Sequence, residues 1–321
     1  MATAAQIKTL IRSHFSEESD RFFTAALQVA AHEAGQGHTA LAREIRDLVD
    51  NAKEKESKSA VIYLPPDLQG LVQTEQPEVK IGSLVLPEEL TGRLKRVLHE
   101  FRQQEKLKQH GLSHRRKLLL TGPAGTGKTL TAKVLAYELR LPLYTVQVDR
   151  LVTKFMGETS AKLRQIFDVI ARENGVYLFD EFDAIGGGRS LDNDVGEMRR
   201  VLSALLQFIE QDTSDSLIVA ATNCPELLDR ALFRRFDDVL QYDLPTNDAR
   251  KRLIGNTLGG FMKKSFGWKL ALSESEGLSS ADIDLACRDA LKNAVLEDRS
   301  VVDAKAVAES LSHRRLLHPS K

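Results

Sequence analysis

The chain is poor in cysteine and tryptophan and has no long apolar run. Two cysteines, Cys224 and Cys287, occur among 321 residues, together with a single tryptophan. Without a C-x-x-C pattern they give no basis for a disulfide framework or a zinc site, and they favour a reduced, cytoplasmic setting. No apolar run approaches the roughly 18 residues of a membrane-spanning helix, so we expect no membrane partner.

The chain also lacks an excess of charge of either sign. Lysine and arginine together number 45, as do aspartate and glutamate, which gives a formal net charge of zero. A balanced charge argues against a protein that binds nucleic acid mainly through the electrostatic field of a positive net charge. Nucleic acid is therefore not the expected partner. The N-terminus acquires acids early and contains no apolar stretch typical of a secretory signal.

The periodicity of apolar residues predicts four regions. Residues 1–50 repeat apolar residues at helical spacing and are interpreted as a three-helix N-terminal module. Residues 51–80 are charged and then proline-bearing, which indicates a linker with at most one short strand, Val61–Leu64. Residues 81–245 alternate strand and helix patterns. Residues 246–321 show only helical patterns, which indicates a small all-helical lid domain.

The alternating region predicts a parallel sheet. Its five expected strands are Lys117–Thr121, Leu143–Val148, Val176–Asp180, Leu217–Thr222 and Val239–Tyr242. Helical patterns separate most of them, so the expected fold class is α/β, with a five-stranded parallel sheet covered by helices on both faces. Ligands bind such sheets at the carboxyl ends of the strands, where the candidate functional groups fall.

The stretch LLLTGPAGTGKTLTA, residues 118–132, has the spacing of a phosphate-binding loop. Gly122, Gly127, Lys128 and Thr129 follow the pattern G-x-x-x-x-G-K-T between a strand and a helix. Glycines let backbone amides turn inward around a polyphosphate, and the helix directs its positive N-terminal end at the same place. The lysine reaches the outer phosphates, and the threonine hydroxyl binds Mg²⁺.

Polar side chains follow two further strands. Asp180 and Glu181 close an apolar strand. The first can hold Mg²⁺, and the second can accept a proton from an attacking water. Asn223 follows the next strand and can hydrogen-bond that water or the γ-phosphate. Arg234 and Arg235 come soon after, and an arginine that neutralises a transferring phosphoryl group raises the rate by orders of magnitude.

The runs GPAGTGKT, DEFDA, AATN and RRFD, in this order along the chain, resemble the AAA family of ATPases. The resemblance covers residues 81–321 and extends to single-module, stand-alone bacterial members with a short helical N-terminal module. It implies a P-loop NTPase fold, ATP as the substrate, Mg²⁺ as the cofactor, and hydrolysis in a ring of identical subunits, usually a hexamer.

The resemblance also implies roles for individual residues. The implied catalytic set is Lys128, Glu181, Asn223, Arg234 and Arg235, of which the arginines reach into the neighbouring subunit's site. Thr129 and Asp180 match the Mg²⁺ ligands. The implied nucleotide-binding residues are Gly122, Pro123, Ala124, Gly125, Thr126, Gly127, Lys128, Thr129 and Leu130 of the loop, Leu84 and Val85 beside the adenine, and Ala281 in the lid stretch GLSSADID. In that stretch Ser280 replaces the family's usual glycine.

Lys154, Phe155 and Met156 follow the second strand and match the position at which the family places an aromatic residue in the central pore. Aromatic and methionine side chains can contact a polypeptide through apolar surface, largely independently of its sequence. The glycine-rich stretch 186–190 matches a second pore loop. The resulting hypothesis is ATP-driven remodelling, unfolding or threading of a protein substrate.

Other functions fit parts of the pattern. A regulatory switch or scaffold would use ATP to control a separate partner, such as a protease, without threading anything; Phe155 favours threading over this alternative. A nucleic-acid motor is disfavoured by the balanced charge. A GTPase is disfavoured because no N/T-K-x-D stretch follows the phosphate loop.

Overall fold

The computed structural model describes residues 8, 13, 19–59, 65, 68–148, 150–151, 158–182, 192–227 and 233–317. The chain forms two compact units, residues 1–63 and residues 64–321. The predicted strand Val61–Leu64 lies outside the described residues. No helix in these ranges is both long enough and apolar enough to cross a membrane.

The first unit contains a helical hairpin. Its helices are α1 (Ser19–Gly35) and α2 (Thr39–Ser59), which pack through a small apolar cluster around Phe23 and Val49. The first of the three predicted helices falls almost wholly outside the described residues. The predicted linker start is wrong, because residues 51–59 continue α2. This segment has no glycine or proline and is rich in lysine and glutamate, which favour a helix.

The second unit is built on a sheet of six strands. They are β1 (Val72–Glu75), β2 (Lys117–Thr121), β3 (Leu143–Gln147), β4 (Val176–Asp180), β5 (Leu217–Thr222) and β6 (Asp238–Gln241). Their order across the sheet is β1-β3-β4-β5-β2-β6. The pairings among β2 to β6 are parallel, which confirms the predicted P-loop type of sheet.

The predicted count of five strands is corrected by β1, which pairs antiparallel with β3 at the sheet edge. This strand lies within the predicted linker. Only Val72 of its four residues is buried, so the sequence carries almost no strand pattern there. Pairing with β3, and not local propensity, makes this segment a strand.

Helices surround the sheet and form the C-terminal region. Those of the sheet region are α3 (Glu88–Arg102), α4 (Gln104–Gln109), α5 (Lys128–Leu139), α6 (Thr159–Arg172) and α7 (Asp192–Gln211). The C-terminal helices are α8 (Asn247–Leu258), α9 (Trp268–Glu274), α10 (Ser280–Leu296) and α11 (Ala304–Leu317). Thr246 caps α8, and Ser279 forms a capping box with Asp282 at the start of α10.

Apolar clusters lie around the sheet and among the C-terminal helices of this unit. Leu118, Leu119 and Leu120 are completely buried, because β2 lies between β5 and β6 with helices on both faces. The four C-terminal helices enclose a second cluster that includes Ile254, Ile283 and Val307. The second cluster gives the C-terminal helical region an apolar core of its own.

Candidate active site

The phosphate-loop sequence forms a tight turn at the carboxyl end of β2. Gly122, Gly125 and Gly127 have φ angles of 135°, 73° and 104°, a region that side-chain-bearing residues rarely adopt. Helix α5 begins directly afterwards at Lys128. Its free N-terminal amides therefore face the space above the loop, as phosphate binding requires.

Gly122 is also fixed by the chain that follows β6. A Cβ atom at this position would lie 2.0 Å from the carbonyl oxygen of Tyr242. Tyr242 is held in place at both ends. Its amide donates to the Thr121 carbonyl (2.7 Å), and its hydroxyl is 2.7 Å from Oγ1 of Thr131 on α5. Burial raises the pKa of the Tyr242 hydroxyl, which keeps it neutral. Tyr242 therefore buttresses both ends of the phosphate loop.

Gly122→Ala is expected to lower the free energy of unfolding by about 3 kcal/mol, through backbone strain together with the clash with Tyr242. Gly127→Ala is the matched control. Its added Cβ meets no atom within 4 Å, so only the strained φ contributes, and a loss of about 1 kcal/mol is expected. Urea unfolding followed by circular dichroism measures both. Equal losses in the free energy of unfolding for the two variants would contradict a close contact between Gly122 and Tyr242.

The lysine of the loop is directed back over the turn. Lys128 is buried, and its Nζ donates to the carbonyl oxygens of Gly122 (2.7 Å) and Pro123 (2.8 Å). Thr126 Oγ1 donates to the same Pro123 carbonyl at 2.8 Å. The ammonium is thereby held beside the inward-facing amides, where it can meet phosphate oxygens.

The two predicted Mg²⁺ ligands are in direct contact. Thr129 Oγ1 donates to Asp180 Oδ2 at 2.7 Å, which links the first turn of α5 to the end of β4. A hydroxyl and a carboxylate are the hard oxygen ligands that Mg²⁺ prefers. The chemistry of these two residues therefore fits a magnesium ion, which they would hold.

Glu181 follows Asp180 in an unusual backbone conformation. Its φ is 51°, the left-handed region, and its amide donates to Asp180 Oδ1 at 3.0 Å. Strain of this kind in a residue other than glycine is concentrated at functional sites. Asn223 comes directly after β5, where Cys224 N donates to Thr222 Oγ1 (3.1 Å) and bends the chain. Both Glu181 and Asn223 line the same cleft as the loop.

The cleft has a volume of about 1150 Å³ and lies between the sheet region and the C-terminal helices. The predicted residues that line it are Leu84, Val85, Ala124, Gly125, Thr126, Gly127, Lys128, Thr129, Leu130, Asp180, Glu181, Asn223 and Ala281. The C-terminal helical region contacts the loop directly, since Ala281 N donates to Gly125 O at 3.0 Å. A Cβ at Gly125 would lie 2.4 Å from Ser279 Oγ, so a glycine there permits this approach.

Sequence reasoning missed most of the lid side of the cleft. The additional lining residues from α8 and α10 are Leu253, Asn256, Thr257, Asp284, Arg288 and Leu291. On each helix they are spaced by three or four residues and so share one face. The sequence shows this spacing, but the spacing alone does not distinguish a helix face that lines a cleft from one that is simply exposed to solvent.

The two predicted arginines lie elsewhere. Arg234 is exposed and Arg235 half-buried, and neither is among the described residues that line the cleft. Asp237, two residues on, is bonded to the beginning of β2. Its carboxylate accepts from the amides of Arg116 and Lys117 (both 2.9 Å), and its amide donates to the Lys117 carbonyl (2.8 Å).

These bonds set the distance between Arg235 and the phosphate loop of the same chain. From Lys117 to Gly122 the strand rises about 3.3 Å per residue, or roughly 16 Å in total. The arginines therefore lie near the opposite end of β2 from the loop. Lys154, Phe155, Met156 and the stretch 186–190 lie outside the described residues.

Comparison with known proteins identifies the family. The sequence model of the family described as "ATPase family associated with various cellular activities (AAA)" matches residues 118–244. The "Uncharacterized AAA family ATPase y4kL" of Sinorhizobium fredii is 33% identical over 313 residues, which cover 95% of this chain and 93% of that protein. The chain belongs to the AAA family of ATPases. This AAA ATPase is an enzyme that hydrolyses ATP.

More distant relatives and a solved structure agree with this assignment. A proteasome-activating nucleotidase of Methanothermobacter thermautotrophicus is 30% identical over 264 residues, which cover 78% of this AAA ATPase and 64% of that protein. The crystal structure of the FIGL-1 AAA domain matches with a TM-score of 0.63 and 20% identity, covering 82% of this chain and 93% of that one. At that identity the structural likeness shows the fold alone.

Proposed function

We propose that this AAA ATPase hydrolyses ATP in a hexameric ring of identical subunits, that Arg235 of one subunit completes the site of the next, and that the cycle remodels or threads a polypeptide. In this proposal residues 81–245 are the ATPase domain and residues 246–321 its lid. The observation that carries the proposal is the position of Arg235 near the far end of β2 from its own phosphate loop.

The chemistry within one subunit uses the residues of the cleft. The phosphates of ATP lie against the loop amides, and Lys128 turns from the two loop carbonyls to the outer phosphate oxygens. Asn223 orients the attacking water, and the Glu181 carboxylate accepts its proton. Mg²⁺, when held by Thr129 and Asp180, neutralises charge on the phosphate oxygens.

In an isolated subunit, no arginine among the described residues stabilises the charge that develops in the phosphoryl-transfer step. Charge develops on the transferring phosphoryl group, and Lys128 is the one described arginine or lysine at the phosphate end of the cleft. An arginine from outside contributes about 10³ or more in rate at such a site. Arg235 lies near the opposite end of β2 from its own phosphate loop, so in this proposal it acts on the cleft of a second copy packed against that end of the sheet.

Glu210 holds Arg235 in position. The Arg235 Nε donates to Glu210 Oε2 at 3.0 Å, and Glu210 lies in the last turn of α7. On the other side, Phe236 is buried and Asp237 is bonded to β2. Among the described residues, Glu210 engages no other nitrogen of this guanidinium. The two terminal amino groups of Arg235 can therefore bind phosphate oxygens in a forked arrangement.

Glu210→Gln is expected to lower kcat about tenfold and leave the KM for ATP unchanged, because a weaker hold on Arg235 disturbs a contact made in the transition state. Glu105→Gln is the matched control, since Glu105 also forms a single exposed pair, with Lys108 (3.2 Å), away from the site. Steady-state phosphate release measures both parameters. A rise in KM without a change in kcat would contradict the positioning role.

Two kinds of observation support a polypeptide substrate. The name of the nucleotidase relatives says that they activate a proteasome. In the sequence, Phe155 lies between Lys154 and Met156 just after the second parallel strand, and the resemblance to the family assigns this position to the pore. The alternative is a switch that controls a separate protein partner and threads nothing.

Phe155→Ala separates these two functions. Threading predicts that an unstructured polypeptide stimulates the ATPase of the wild type and that the variant loses this stimulation while its basal activity persists. Phosphate release measured with and without the polypeptide tests it. No stimulation of either protein would favour the switch.

A further inference from the structure

The lid face of the cleft carries a row of hydrogen-bonded polar side chains that the proposed chemistry does not use. Thr257 Oγ1 donates to Asp284 Oδ1 at 2.8 Å, and Arg288 Nε donates to Asp284 Oδ2 at 2.6 Å. The row joins α8 to α10, and all three residues line the cleft. Thr257 thus holds the carboxylate to which the Arg288 Nε is bonded, and the Arg288 side chain is 62% exposed.

The row lies at the end of the cleft away from the phosphates. Ala281, at the start of α10, touches the phosphate loop through its bond to Gly125. Arg288 is seven residues further along the same helix face, about 10 Å away at the helical rise per residue. Leucines also line the cleft, among them Leu291, three residues after Arg288 on α10, Leu253 on α8, and Leu84 from the segment before α3.

We infer that Arg288 contacts the nucleoside part of the bound nucleotide, with its guanidinium plane against the base, and that Asp284 is its positioning residue. A planar cation stacks on an aromatic base, whereas a lysine ammonium offers only a point charge. Among the described residues, the bond to Asp284 occupies Nε alone. The rest of the guanidinium is therefore available to the base. The lid thereby senses the nucleoside as well as the phosphates.

This inference rests on the proposed position of the nucleotide in the cleft, so the experiment tests the two separately. Calorimetry measures the affinity of the full-length protein for ADP and for inorganic tripolyphosphate, which has no nucleoside. Lys128→Ala tests the position itself. Arg288→Ala, Arg288→Lys and Asp284→Asn test the contact. Arg299→Ala removes another arginine of the lid, paired with Glu297 (2.8 Å) outside the cleft, and is the matched control.

Arg288→Ala is expected to weaken ADP binding about 3- to 30-fold, the range of a stacked cation. Arg288→Lys should not restore it, and Asp284→Asn should produce a smaller loss. Tripolyphosphate affinity should stay as in the wild type, and Arg299→Ala should bind both ligands normally.

Three results would overturn the inference. Unchanged ADP affinity in Arg288→Ala, with a strong loss in Lys128→Ala, would refute the contact and leave the nucleotide position standing. Equal losses for ADP and tripolyphosphate would show that Arg288 acts only through its charge. Unchanged ADP affinity in Lys128→Ala would refute the nucleotide position and the inference together. Thermal melts verify folding, and Arg288→Lys, the smallest change, keeps the test valid if the alanine variant fails to fold.

Discussion

Glu181→Gln is expected to lower kcat for ATP hydrolysis about 10³-fold and to leave nucleotide binding intact. The glutamine amide has the same shape as the carboxylate but cannot accept a proton from water. The contact of Glu181 with Asp180 runs through its backbone amide, so the substitution leaves that bond and the Thr129–Asp180 pair in place. Phosphate release at saturating ATP gives kcat, and calorimetry with ADP gives the affinity.

Glu276→Gln is a suitable control for this variant, because Glu276 is an exposed lid glutamate outside the cleft. It should hydrolyse ATP like the wild type. If Glu181→Gln hydrolysed ATP at the normal rate, the proton would go to another group. If it lost ADP affinity in step with kcat, Glu181 would serve binding and not the chemical step.

Arg235→Ala is expected to lower kcat by about 10³ or more, since the arginine stabilises charge on the transferring phosphoryl group. The fold should be unaffected. The pair with Glu210 is half-exposed, and such pairs contribute at most about 1 kcal/mol to stability. ADP affinity should also be retained, because the arginine acts on the transferring phosphoryl group, which ADP lacks. Steady-state kinetics and a thermal melt measure these quantities.

Arg234→Ala provides the comparison within the same motif. Arg234 is exposed, and we propose it as a secondary contact, so its loss should reduce kcat less than that of Arg235. A larger effect for Arg234 would reverse the assignment of the two arginines. Normal turnover in both variants would remove the shared site from the mechanism.

The sequence was sufficient wherever a local pattern coincides with a physical requirement. The phosphate loop follows from three glycines and a lysine at fixed spacing, and the structure gives those glycines the positive φ angles that the spacing predicts. Strands β2, β4 and β5 have the predicted bounds, because each is a short apolar run buried on both faces. The contact between Thr129 and Asp180 accords with the expectation that the candidate groups fall at the carboxyl ends of the strands.

The sequence was insufficient where tertiary contacts decide the structure. Strand β1 forms by pairing with the edge strand β3, and only one of its four residues is buried, so its sequence has no clear strand pattern. The row Thr257–Asp284–Arg288 is assembled from two helices about thirty residues apart, so no local motif contains it. The bond of Glu210 to Arg235 likewise joins the end of α7 to a loop that the chain reaches only after β5.

The most direct test of the shared site mixes two inactive proteins. The Glu181→Gln subunit has a normal Arg235 but lacks the carboxylate that accepts the proton. The Arg235→Ala subunit has a normal Glu181 but lacks the arginine that acts on the neighbouring site. In a randomly mixed ring at equal amounts, about a quarter of the sites pair a normal Glu181 with a neighbour's normal Arg235. We predict that ATPase activity rises on mixing to roughly that fraction of the wild-type rate. Activity that remains the average of the two separate variants would contradict a site completed by the neighbouring subunit.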